Sequence, residues 1–177
     1  MKPLTMKNHS RAWIVFCACC ASCSGNSTMG AGDLGTAAGA QVVVNELYPH
    51  GATAMDPDWA EIKNITKRAV DVSGYKVRDG SLANLYKLPD GTSIPAGGYL
   101  VVFCDDQTDG GVVGGIHTPW KLSGKKGDEF HLVGSDGKDV DATGFTADLA
   151  STKSWGRLPD GTGLFIATSP TRGAANL

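Results

Sequence analysis

From residue 41 onward, apolar positions come in short runs broken by turn residues, and no window carries a sustained helical stripe. Val42-Val43-Val44 opens a strand expected to reach about Tyr48. Trp59-Ala60-Glu61-Ile62 is a second, and Val70 to Val77 alternates around Gly74 in a third. Leu85 to Leu88 is short and ends in a turn. Tyr99-Leu100-Val101-Val102-Phe103 is a continuous apolar run, as a central strand covered on both faces requires. Glu129 to Val133, Asp139 to Phe145, Ser154 to Leu158 and Leu164 to Ala167 complete the series. Turns separate nearly all of these at short intervals, the pattern of an all-β sandwich or barrel. One turn is used twice: Leu-Pro-Asp-Gly-Thr occupies 88–92 and again 158–162. Proline presets φ, aspartate bonds back to the backbone, and glycine accepts the left-handed position, so the recurrence reflects shared turn chemistry.

The first 40 residues follow a different pattern. Lys2, Lys7 and Arg11 precede an apolar run, Ala12 to Ala18, which continues into small residues. Basic, apolar and small regions in that order make a secretory signal, and the run is about half the ~20 residues of a membrane-spanning helix. Cys17, Cys19, Cys20 and Cys23 crowd its end, with no second cysteine pair downstream to complete a zinc knuckle. Cys20-Ala21-Ser22-Cys23 resembles a bacterial lipoprotein box, with Cys20 where leucine is usual. That resemblance implies a signal peptide over 1–22 and diacylation of Cys23, Cys19 being the alternative. Two acyl chains anchor stably where one exchanges. Ser24 after the lipidated position implies outer-membrane sorting in a proteobacterial host, so the anchor is expected in the cell membrane or the outer membrane. Residues 23–40 are small and nearly free of large apolar groups, and read as a flexible tether between the anchor and a domain over 41–177. Gly30-x-Gly32-x-x-Gly35 within it matches a dinucleotide fingerprint in letters only, since no strand precedes it and no helix follows.

Charge narrows the partners. The chain carries 16 basic and 18 acidic residues, and without the three bases of the leader 13 remain against 18 acids, net −5. A domain this acidic is a poor binder of phosphate backbones, so no nucleic-acid partner is expected.

Candidate chemistry is sparse. No Gly-x-Ser-x-Gly elbow is present, and Ser123-x-x-Lys126 falls in a glycine-flanked turn without a partner motif. Cys104, with His50, His117 and His131 as possible bases or zinc co-ligands, ends the most apolar strand and reads as a small buried hydrophobe. Two oxygen-rich loops, Asp56 with Asp58 and Asp105 with Asp106 and Asp109, have the residue type calcium prefers, but neither has the spacing of a calcium loop. Asp105, Asp106 and Asp109 are the weak metal candidates. No catalytic residue and no cofactor is assigned.

With the strands in place, the chain resembles a lamin tail domain over about residues 41–177. Val44-Asn45-Glu46-Leu47 is similar to that family's opening strand. Asp58-Trp59-Ala60-Glu61-Ile62-Lys63-Asn64 resembles its Trp-x-Glu-Leu-x-Asn stretch, and Val70-Asp71-Val72-Ser73-Gly74-Tyr75 its Asp-Leu-Ser-Gly-Trp segment. The block from Leu88 to Val102 is the most specific; Leu122 to Asp128 and Asp139-Val140-Asp141 follow in order. Ser169-Pro170-Thr171-Arg172-Gly173-Ala174-Ala175-Asn176 resembles the closing Thr-Pro-Gly-x-x-Asn, with Arg172 where proline is usual. The resemblance implies an immunoglobulin-like β-sandwich. On that scaffold Glu46 and Glu61 are expected to bond backbone or hydroxyl groups, and Trp59, Tyr75, Phe103, Phe130 and Leu132 to fill the core.

The expected function is non-enzymatic: an exported, lipid-anchored binding or scaffolding module of the bacterial envelope, docking an envelope protein or a polysaccharide. The resemblance implies a docking unit of the kind attached to exported hydrolases, here with no catalytic neighbour expected in cis. The alternatives are a small metal-dependent exported hydrolase or nuclease using Asp105, Asp106 and Asp109, and a structural protein self-associating through a strand edge.

Overall fold

The computed structural model describes residues 32–107 and 113–177. Thirteen strands run through them in order: β1 (Gly32–Thr36), β2 (Val42–Tyr48), β3 (Trp59–Asn64), β4 (Val70–Asp71), β5 (Lys76–Arg78), β6 (Tyr86–Lys87), β7 (Ser93–Ile94), β8 (Tyr99–Cys104), β9 (Ile116–Thr118), β10 (Gly127–Val133), β11 (Asp139–Thr146), β12 (Ser154–Leu158) and β13 (Leu164–Thr168). One sheet has the order β1-β11-β10-β5-β6, the other β13-β12-β2-β3-β8-β9, and β4 with β7 makes a small ribbon. Every pairing is antiparallel except that of β8 with β9. This is the all-β sandwich expected from the turn spacing.

The core lies between the two large sheets. Ala60, Ile62, Val102 and Cys104 from one meet Val77, Phe130, Leu132 and Phe145 from the other, all essentially inaccessible. Strand alternation then turns Trp59, Glu61, Lys63, Tyr99 and Phe103 to the outer face of the six-stranded sheet. Phe130 and Leu132 are core as expected, and Tyr75 packs against it half-buried. Trp59 and Phe103 are buried too, but on that outer face, where Trp59 meets Tyr48 and Phe103 stacks on His117. On β2 a register shift at Asn45 changes the phase: Val42 and Val44 face the core before it, Leu47 after it. A bulge of this kind inserts one residue and re-aims the next. Here it leaves Glu46 directly opposite Glu61.

Two expectations need correction. Val70 to Val77 is not one strand. Gly74 adopts φ +74°, and the turn around it sends β4 to the ribbon and β5 to the five-stranded sheet. Nor does the tether extend to residue 40, because Gly32–Thr36 forms β1 on the edge of the five-stranded sheet. The physical reason is an ion pair. Arg157, its side chain only 5% exposed, donates to Asp33, Thr36 and both oxygens of Asp141. It also donates to the carbonyl of Val44, and its guanidinium lies over the Phe165 ring. A buried guanidinium needs several acceptors, and β1 supplies two of them.

Candidate functional site

Asp105 directly follows β8 and bridges to Lys121, and its Oδ2 lies 2.9 Å from Nδ1 of the buried His117. Asp106 follows in a turn at φ +64°, exposed. Asp109 lies outside the described residues, as do Cys19, Cys23 and the signal segment 1–22. The loops read separately in the sequence meet in space. Trp59 pairs with Phe103, so Asp58 stands opposite Cys104, whose N–H donates to the Asp58 carbonyl at 2.8 Å. Asp58 and Asp105 thereby become walls of one cavity of about 350 Å³, together with Cys104, Gln107, Lys121 and residues 51–54.

Within that cavity, one Asp58 oxygen accepts from the Gly51 N–H at 2.6 Å. Burial pushes its carboxyl up to about 6, against that bond and Lys121, while Asp105 and Asp56 push it further up. Among the described residues Asp105 Oδ1 has no donor. Burial also raises the Cys104 thiol well above its usual range. That suits the small-hydrophobe reading, because the thiolate is the reactive form. His131 belongs to the other sheet, among Arg78, Glu129 and Asp139. Among the described residues no three His, Cys, Asp or Glu side chains group as a metal centre.

A second polar cluster lies on the outer face of the six-stranded sheet, beneath the C-terminal strap of residues 169–177. Its hub is Asp160, from the second Leu-Pro-Asp-Gly-Thr. One oxygen accepts from Asn45 Nδ2 at 2.9 Å and from the Asn176 N–H at 3.1 Å. The other pairs with Lys63 Nζ at 2.7 Å and accepts from the Tyr99 hydroxyl at 2.8 Å. Burial alone would raise this carboxyl, but these donors hold it below its usual value. Asn45 Oδ1 caps the Gly161 N–H, while Asn176 Nδ2 donates to the carbonyls of Asn45 and Arg157. Glu46 and Glu61, both fully buried, accept from the strap and from Ser154 and Asn45, which are the backbone and hydroxyl partners expected of scaffold acids, with one amide besides.

Sequence reasoning took Asp160 for turn chemistry alone and missed it as a hub. The Asn45-Glu46 and Glu61 signatures were the available signal, but nothing local distinguishes Asp160 from Asp90. The first copy of the pentapeptide is only a surface turn, with Asp90 bound to Lys87 and four-fifths exposed.

Among known families, the model described as Lamin Tail Domain matches residues 35–147. No curated protein matches the chain. The matched residues begin inside β1, which agrees with a domain that starts before residue 41, and they end ahead of β12, β13 and the strap. β12 and β13 are nonetheless paired into the six-stranded sheet beside β2.

Proposed function

From the premise that this chain belongs to the lamin tail domain family, we propose that it is a binding or scaffolding module held at a bacterial envelope membrane by a diacylated Cys23, with an envelope protein or polysaccharide as its partner. One observation carries the reading. The buried acids Glu46, Glu61 and Asp141 and the half-buried Asp160 are all occupied in joining strands, the strap and β1 to one another. They stabilise a platform and leave the loops to make contacts, as sandwich domains commonly do.

The test is affinity capture from detergent-solubilised membranes, with the intact chain and Cys23→Ser in parallel and mass spectrometry of the N-terminal peptide. A diacylated Cys23 with a reproducible partner supports the tethered adaptor. An unlipidated N-terminus sinks the anchor. The meeting of Asp58 and Asp105 in one cavity favours a second reading, a metal-dependent exported hydrolase or nuclease. Turnover abolished by chelator and by Asp105→Ala would replace the adaptor with that enzyme.

A further inference from the structure

The register that sets Glu46 opposite Glu61 brings two acids together at one buried point of neighbouring strands. Side chains so paired have Cβ atoms about 5 Å apart, a distance at which like charges repel. Neither carboxylate is ion-paired among the described residues. Asp160 from the β12–β13 turn adds a third negative charge; Lys63 on β3 is committed to Asp160 and the Tyr99 hydroxyl, and Arg172 on the strap lies over the Phe103 ring. The strap closes over this pair. The Thr171 N–H is 3.2 Å from both Glu46 oxygens, and the Gly173 N–H is 2.6 Å from Glu61 Oε2.

Closure needs one more hydrogen than the strap supplies. The Thr171 hydroxyl sits 2.8 Å from Glu46 Oε2 and 2.7 Å from Asn176 Oδ1. The orientation of that amide is set by its nitrogen, which donates to two carbonyls. Three oxygens are thus in line with one hydroxyl hydrogen between two contacts. A proton on Glu46 completes the chain: the acid donates to Thr171, and Thr171 donates to Asn176.

We propose that residues 169–177 form a proton-linked strap, which takes up a proton at the Glu46–Glu61 pair when it closes and opens as the pair becomes doubly ionised. Burial raises both carboxyls, Glu61 to about 7 from an ordinary 4.5. A closed strap therefore holds a proton that the open, hydrated pair has lost, and rising pH favours opening. Opening uncovers the outer sheet face around Phe103. The strap's response to pH depends on neither the anchor nor a partner.

Hydrogen exchange on the full chain tests it, comparing the strap peptide with a β8 peptide between pH 5 and pH 8 after correction for intrinsic rates. For one proton shared by the pair, with Glu61 at its ordinary 4.5 open and about 7 closed, the strap's opening constant rises about 70-fold across that range, and that of β8 far less. Glu46→Gln places an amide donor where the acid proton would be. It keeps the strap closed at pH 8 and flattens the profile, whereas a carboxylate acting only as an acceptor predicts that this variant loosens the strap. Glu61→Gln removes the like-charge pair and also lowers the slope. A flat wild-type profile, or a strap loosened by Glu46→Gln in a folded domain, overturns the proposal.

Discussion

Replacing Asp141 by asparagine tests how the two sheets and β1 are joined. The carboxylate is wholly buried, and its two oxygens have different tasks. Oδ2 accepts from the Val44 N–H at 2.7 Å and Oδ1 from the Thr36 hydroxyl at 2.6 Å, while Arg157 donates to both at 3.0–3.1 Å. An amide can offer an oxygen on one side only, so whichever way it turns, an NH₂ group confronts a donor. Arg157 also loses its only buried counter-charge among the described residues, since Asp33 is 31% exposed and sits on an edge strand. Breaking a buried pair from one side costs roughly 3–5 kcal/mol. For a domain of this size that is a fall of roughly 10–15 °C in Tm. Thermal and urea denaturation followed by far-UV circular dichroism measure the loss, and hydrogen exchange of Gly32–Thr36 shows whether β1 loosens with it. A loss below about 1 kcal/mol with β1 still protected would refute the assignment of this ion pair as the joint.

Three further outcomes follow. Asp160→Asn destabilises by about 2–3 kcal/mol, because it disturbs four donors at a hub; Asp90→Asn, in the identical pentapeptide, changes stability by less than about 0.5 kcal/mol. Chemical denaturation of the pair decides it, and equal effects would show that both are only turns. Asp58 holds its proton to about 6 in the folded state against 3.8 unfolded. Its contribution is therefore complete below pH 4 and is lost as pH rises through 6. Asp58→Asn should flatten the profile of Tm between pH 4 and 6, and an unaltered profile would contradict the burial seen here. Cys104, inaccessible and with a raised thiol pKa, reacts with a thiol reagent only as fast as the domain opens. Labelling at the rate of a free thiol in native buffer would place it at the surface.

Much of the fold was legible because burial leaves a mark on composition. The apolar runs at Val42–Tyr48 and Tyr99–Cys104 are strands in the middle of a sheet, and their hydrophobicity says so locally. What escaped depends on distant residues. β1 is written mostly in small and polar letters, and it becomes a strand through its ladder with β11 and through Arg157, both over a hundred residues away. β9 has three residues and exists through parallel pairing with β8. Val70 to Val77 has the alternation of a strand, yet a turn can preserve that alternation while changing sheets. The candidate site was half visible. Both aspartate loops were picked out, but their meeting follows from the pairing of Trp59 with Phe103, and no local pattern contains that register.

The placement of β1 has a mechanical consequence. A pull on the chain ahead of residue 32 reaches the described residues first at β1, an edge strand that among them is bonded to one neighbour and pinned by Asp33 and Thr36. Its bonds part a few at a time, whereas the sheets behind it share any load across many strands. Under tension β1 peels first, paying out about 3.3 Å of chain for each of its five residues. The core, its ladders untouched, stays folded at the end of a slightly longer line, and β1 can re-pair when the tension falls.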